Sequence, residues 1–334
     1  MQPTDRSRRL LVGASAACVF ASMAMGTGAA WADDAFPSRP IKIIVGYAPG
    51  GTTDIVARTI APKLSAHLGQ SVVVENRPGA GGNLGAELAA RAEPDGYTLQ
   101  MGTAGNMTVN PSIYANMKVD PVRDFEPISL IAAVPNIMVV NPSVPAKNVA
   151  EFIAWAKERP GKVFFASSGI GNTPHVTGEL FNLTTGLSLV HVPYKGSAPA
   201  LTELIGGQGV HVMFDNMPSA IGHVRSGALR ALASTTAKRS AALPDLPTLQ
   251  EAGLKDFDVR AWFGLFAPAK TPRPIIEKLH AAILAALKDP TTRKNLEAQG
   301  ADVVGNSPEE FGRIVETEGK RWAEVVKAAK IEMK

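Results

Sequence analysis

Three runs of this chain put glycines and hydroxyls where a small anion could be gripped. The first is Gly50-Gly51-Thr52-Thr53-Asp54. The second is RPGAGGNLG, Arg77 to Gly85, with Gly81 and Asn83 as its candidate contacts. The third is SSGIGNTPH, in which Ser167, Ser168, Gly169, Gly171, Thr173 and His175 are candidates. Glycine lets backbone approach a ligand and tolerates positive φ. Hydroxyls donate hydrogen bonds, and a helix that starts just after such a loop aims its free N–H groups at an anion. Thr103 and Ala104, ending DGYTLQMGT, and Asp215 in FDN complete the candidate set. The competing reading of each loop is an ordinary strand-to-helix turn with normal capping.

The roles expected of these residues differ. Thr52 and Thr53 supply hydroxyls, and one of them can cap the following helix. Asp54 falls in a first helical turn, where its charge complements the dipole but repels a carboxylate, so it reads as structural or water-organising. Ser167, Ser168, Gly169, Gly171 and Thr173 would hold a carboxylate from the opposite side, while His175 could touch the ligand, cap the loop or pack internally. Lys195, in Tyr194-Lys195-Gly196-Ser197, could balance a second carboxylate or stay solvated.

Other chemistries find no support. The Gly79–Gly85 loop fails as a dinucleotide fingerprint because Leu84 stands where the third glycine is needed. No H-E-x-x-H, G-x-S-x-G or Walker A run occurs. The one cysteine, Cys18, lies in the leader, so the mature protein has no thiolate ligand or nucleophile. No metal and no cofactor are expected. The net charge of +4 is too small and dispersed to argue for nucleic acid or a membrane surface. One enzymatic alternative remains: an exported α/β hydrolase using Ser168, His175 and Asp215 as a set. A third reading is a ligand-presenting module for a membrane sensor.

The elements that must position these loops alternate strand and helix, which argues for an α/β fold with mostly parallel sheets. IKIIVGY, VVVEN and VFFAS each run into one of the three loops. Helices are expected over residues 53–68, 83–92, 148–159, 174–184, 198–205, 219–225, 274–287 and 307–330, with Pro62 kinking the first or starting a new turn. Two strands, 128–141 and 259–268, exceed the usual length and separate blocks of ordinary units. They read as crossovers between two lobes: residues 33–134 with 261–334, and 135–260.

Residues 1–32 read as a signal peptide. Arg6, Arg8 and Arg9 precede an apolar stretch, and Ala30-Trp31-Ala32 fits the cleavage site. About 300 residues remain, enough for two domains.

FPSRPIKIIVGYAPGGTTD, VVVENRPGAGGNLG, DGYTLQMGT, SSGIGNTPH, HVPYKGSAPALTELIGGQ and FDNMPSA, in this order behind a signal peptide, resemble the Bug/TctC family. These are periplasmic solute receptors of tripartite tricarboxylate transporters. The resemblance covers essentially the whole mature chain. It implies a type II periplasmic-binding-protein fold of two hinged lobes, with a small organic carboxylate held in the interlobe cleft and delivered to a membrane permease. It implies no catalysis, and the receptor is expected to act in the periplasm as a monomer.

Overall fold

The computed structural model describes residues 36–328. The expected signal peptide lies outside the described residues. The chain runs β1 (Ile41–Val45), α1 (Thr52–Leu68), β2 (Val72–Asn76), α2 (Asn83–Ala90), β3 (Thr98–Thr103), α3 (Asn110–Ile113), β4 (Phe125–Val140), α4 (Val149–Lys157), β5 (Phe164–Ser167) and α5 (Thr173–Thr185). It continues through β6 (Val190–Pro193), α6 (Ser197–Gly206), β7 (Val212–Asn216), α7 (Met217–Arg225), β8 (Arg230–Ser234) and β9 (Arg260–Pro268). The last elements are α8 (Arg273–Lys288), α9 (Pro290–Glu297), β10 (Asp302–Val303) and α10 (Pro308–Ala328).

The strands follow the order β2-β1-β3-β9-β4-β7-β5-β6, with β8 and β10 also on β4. The strand–helix units pair in parallel, β1 with β2 and β3, and β5 with β6 and β7. The two long strands run antiparallel to their neighbours, so the sheet is mixed. β4 serves both halves of the fold. Phe125 to Pro135 pair with β9, and Asn136 to Val140 pair with β7. The chain returns at Val259, whose N–H still bonds Thr235, and Arg260, which already faces Pro135. A strand that changes partner in mid-course joins two lobes through few backbone torsions, the economy a hinge requires.

Each lobe has its own apolar packing. In one half Ile43 and Ile44 of β1 and Val56 and Ile60 of α1 are fully buried, and in the other so are Phe152, Phe165, Phe181 and Phe214. Each such side chain contributes about 1.5–3 kcal/mol. Local signals in the sequence set the helix ends. Asn148 accepts from the Glu151 N–H to cap α4, and Ser307 and Glu310 exchange side-chain-to-backbone bonds ahead of α10. Pro62 does not interrupt α1, which continues to Gly69 in the left-handed conformation. The ring costs one backbone bond, but Ile60, Ala61 and Leu64 around it are buried, and that packing holds the helix.

Candidate functional site

Four helices begin at one small cavity. Thr52 and Thr53 open α1, Thr173 opens α5, Ser197 opens α6, and Asn216 immediately precedes α7; all line the cavity. Their dipoles, with the first-turn N–H groups that lack an intrahelical partner, make the space electropositive without any cation, although at α5 the Asn172 side chain already caps the His175 N–H. Ser168 and Asn172 add polar groups, and Tyr47, Thr103, Ala104 and Phe263 close the wall. Among the described residues no charged side chain lines it. Its volume is about 20 Å³, because the lobes are shut around it.

Three hydrogen bonds tie the lobes at this seam. The Ala48 N–H donates to the Lys195 carbonyl at 2.9 Å, Thr52 Oγ1 donates to Ser219 Oγ at 2.9 Å, and the Tyr114 hydroxyl donates to the Ile170 carbonyl at 3.2 Å. Backbone also meets backbone. A Cβ on Gly81, which has φ +62°, would sit 2.2 Å from the Ile170 oxygen, and one on Gly105 would sit 2.7 Å from the Asn172 Cα.

Behind the wall stands a layer that holds the loops in place. Asp54 accepts from the Gly50 N–H, Asn76 and Arg58 at 2.9–3.0 Å. Burial alone would raise its pKa, but these donors outweigh it and keep the carboxyl below the ordinary range. Asp215, fully buried, accepts from Ser197 Oγ at 2.6 Å and Ser219 Oγ at 2.5 Å. Burial pushes its pKa up to about 6 against those bonds. His175 points away from the cavity. Its Nδ1 accepts from the Gly171 N–H at 3.1 Å, and its ring stacks on His191 with centroids 4.0 Å apart. Burial lowers His175 to about 4, and burial with the neighbouring His175 lowers His191 to about 3. Both imidazoles are therefore neutral near pH 7.

A second chamber of about 190 Å³ adjoins the first, sharing Tyr47 and Ser168 as common wall. It lies between the Gly79–Gly82 turn of one lobe and the Gly169-Ile170 and Tyr194-Lys195 segments of the other. The glycine turn packs closely on β1, where a Cβ on Gly85 would meet the Gly46 Cα at 2.7 Å.

The residues singled out in the sequence therefore separate into three places. Gly51, Thr52, Thr53, Thr103, Ala104, Ser168 and Thr173 line the inner cavity, and Gly81 and Gly169 line the outer chamber with Ser168. Asp54, Ser167, Gly171, His175 and Asp215 lie behind the wall, and Gly50 is exposed outside it. Asn83 is also outside both spaces, its amide oxygen accepting from Asn110 at 2.6 Å. Ser197, Asn216, Asn172 and Gly105 line the cavity without having been candidates. The signal for two of them was present: Asn172 and Asn216 each stand two residues before a proline, the pattern of a helix start. Gly105 begins a π-helical turn, Gly105–Val109, which no periodicity announces.

Ser168, His175 and Asp215 do not form a nucleophile–base set. Ser168 Oγ accepts from Asn172, His175 bonds backbone, and Asp215 is committed to Ser197 and Ser219.

Comparison with known proteins agrees with this geometry. The model of the tripartite tricarboxylate transporter family receptor matches residues 56–331. Protein BugT of Bordetella pertussis is 38% identical over 310 residues, covering 92% of this chain and 95% of BugT. Rpa4515 of R. palustris, solved with adipate, is 41% identical at TM-score 0.87, covering 89% of this chain and all of that one. MatC of Rhodopseudomonas palustris, solved with bound malate, is 35% identical at TM-score 0.84, over 87% of this chain and all of MatC. The periplasmic binding protein BugD is 38% identical at TM-score 0.86, over 89% of this chain and all of BugD, so the likeness is to solute-binding proteins rather than to enzymes.

Proposed function

Since the chain belongs to the tripartite tricarboxylate transporter receptor family, a family of periplasmic solute-binding proteins, we propose that it captures a small organic carboxylate in its interlobe cleft and hands it to the membrane permease of such a transporter. The observation that carries this reading is the convergence of four helix N-termini on one uncharged cavity. A carboxylate there is met by backbone N–H groups and hydroxyls alone. Each charge-assisted bond contributes about 1.5–3 kcal/mol net, so about three suffice for micromolar affinity after ordering costs.

Gly51, Thr52, Thr53, Thr103 and Ala104 grip the anion from one lobe, and Ser168 and Thr173 from the other. The lobes are residues 33–134 with 261–334, and 135–260, turning about Pro135–Asn136 and Val259–Arg260. Only the shut form supplies all the donors, so an anion favours closure by its differential affinity. The adipate and malate of the solved relatives support the ligand class.

The test is a calorimetric screen of the mature, folded protein against mono-, di- and tricarboxylates and acidic amino acids. Saturable binding of at least one acid, returned unchanged, is the expected result. Absence of binding by all of them removes the reading. Ligand-dependent capture of the permease, and not of a sensor kinase, tests the delivery step.

A further inference from the structure

Resting on the carboxylate-receptor reading, we propose that the outer chamber is a second anion subsite in which Lys195 receives the far carboxylate of a dicarboxylate ligand. The chamber of about 190 Å³ shares Tyr47 and Ser168 with the inner cavity, so the two spaces adjoin and the chamber is where the far end of an extended ligand held in the cavity would lie. Its walls are glycine backbone, Ile170, Pro193 and tyrosines, and Lys195 is the one charged side chain lining it among the described residues.

Two of the tyrosine hydroxyls there are engaged. The Tyr47 hydroxyl donates to the Gly81 carbonyl at 2.9 Å, and the Tyr114 hydroxyl to the Ile170 carbonyl at 3.2 Å. Lys195, by contrast, is exposed and makes no ion pair among the described residues, so its charge is not already neutralised by a carboxylate.

Closure sets the position of this cation. The Lys195 carbonyl accepts the Ala48 N–H across the seam, and Gly196 beyond it packs on Ala48, where a Cβ would come within 2.9 Å of the Ala48 nitrogen. The backbone that carries the ammonium is thus fixed to the opposite lobe only when the cleft is shut. A ligand with a second negative charge gains an interaction that a singly charged one of the same shape lacks.

Calorimetry with succinate, glutarate and adipate, each beside its monomethyl ester, separates charge from shape. The wild-type protein is expected to prefer at least one diacid over its ester by about two- to fivefold, the range for a partly exposed ion pair, and to lose that preference as salt is raised. Lys195→Met should abolish the preference while leaving ester affinity unchanged, and Lys195→Arg should keep it. Equal affinity for diacid and ester in the wild type, or equal weakening of both in Lys195→Met, overturns the subsite while leaving carboxylate capture intact. A wild-type protein that binds none of the six compounds also overturns the subsite, whereas carboxylate capture falls only if the wider screen of acids fails as well.

Discussion

The Thr52 hydroxyl donates to the Ser219 hydroxyl at 2.9 Å across the seam, and Ser219 in turn donates to the buried Asp215 carboxylate at 2.5 Å. One chain of hydrogen bonds thus links the start of α1 in one lobe to an acid in the other. Thr52→Val removes the interlobe bond and leaves Asp215 its two hydroxyls. It should weaken ligand binding by about 1 kcal/mol, with little change in melting temperature. Ser219→Ala also strips a donor from a buried carboxylate and should lower stability by about 1–3 kcal/mol. Equal melting temperatures for the two variants would contradict this division of roles.

Gly105 meets Asn172 with no space for a side chain, and its φ is not positive, so Gly105→Ala tests closure without backbone strain. The added methyl should hold the lobes apart. Overpacking of this kind costs about 1–3 kcal/mol, or roughly five- to 150-fold in affinity. At saturating ligand the variant should keep a larger radius of gyration than wild type in small-angle scattering. Unchanged affinity with an unchanged radius would mean that the seam opens and closes without this contact.

The fold was legible because the physics that sets it is local. Ile41–Val45, Val72–Asn76 and Phe164–Ser167 are short apolar runs broken by glycine loops, and the two long strands announced themselves by length. The site was legible only at the level of loops. Thr52 and Asp54 are two residues apart on one helical turn, yet one faces the cavity and the other is turned back to Gly50 and Arg58. His175 and Ser168 share one loop, but the imidazole is drawn to the Gly171 N–H and His191. Which face of a loop meets the ligand is decided when the lobes close, and spacing within one loop holds no record of the other. For the same reason Ser197 and Asn216 read as ordinary helix starts until three other helix ends arrive beside them.

The stacked pair His175 and His191 should make the protein acid-sensitive. Both pKa values lie below the ordinary 6.5, at about 4 and about 3. The unfolded chain therefore binds more protons over this range, and the stabilisation, present above about pH 6.5, is lost as pH falls toward those values. Each unit of displacement corresponds to about 1.4 kcal/mol. Asp215 acts in the opposite sense. Its raised pKa gives stability that is full below about 3.8 and lost as pH rises through about 6. Two imidazoles oppose one carboxyl, so melting temperature should drop between pH 6.5 and 4. His191→Gln, which can keep a bond to Ser167, should flatten that drop; a slope identical to wild type would show that other groups set it.

Asp215 should also couple ligand binding to proton uptake. Its carboxylate lies one hydrogen bond, 2.6 Å, behind Ser197 of the cavity wall. In the free protein it titrates near pH 6. A ligand carboxylate in the cavity brings a second negative charge toward a buried one, and like charge disfavours ionisation, so the pKa rises further on binding. At a pH between the free and bound values, binding then draws a proton onto Asp215. Affinity increases as pH falls through that window, by at most about tenfold per unit for one proton. A ligand with a single carboxyl group, such as the monomethyl ester of a diacid, is ionised at pH 6 and above, so its own titration contributes little. Calorimetry in two buffers of different ionisation enthalpy counts the protons directly. Wild type should take up a fraction of one proton between pH 6 and 7, falling away as pH rises beyond the bound value, while Asp215→Asn should take up none and bind with flat pH dependence. Buffer-independent binding enthalpies for the wild type from pH 6 to 8 would show that the Asp215 charge does not sense the ligand.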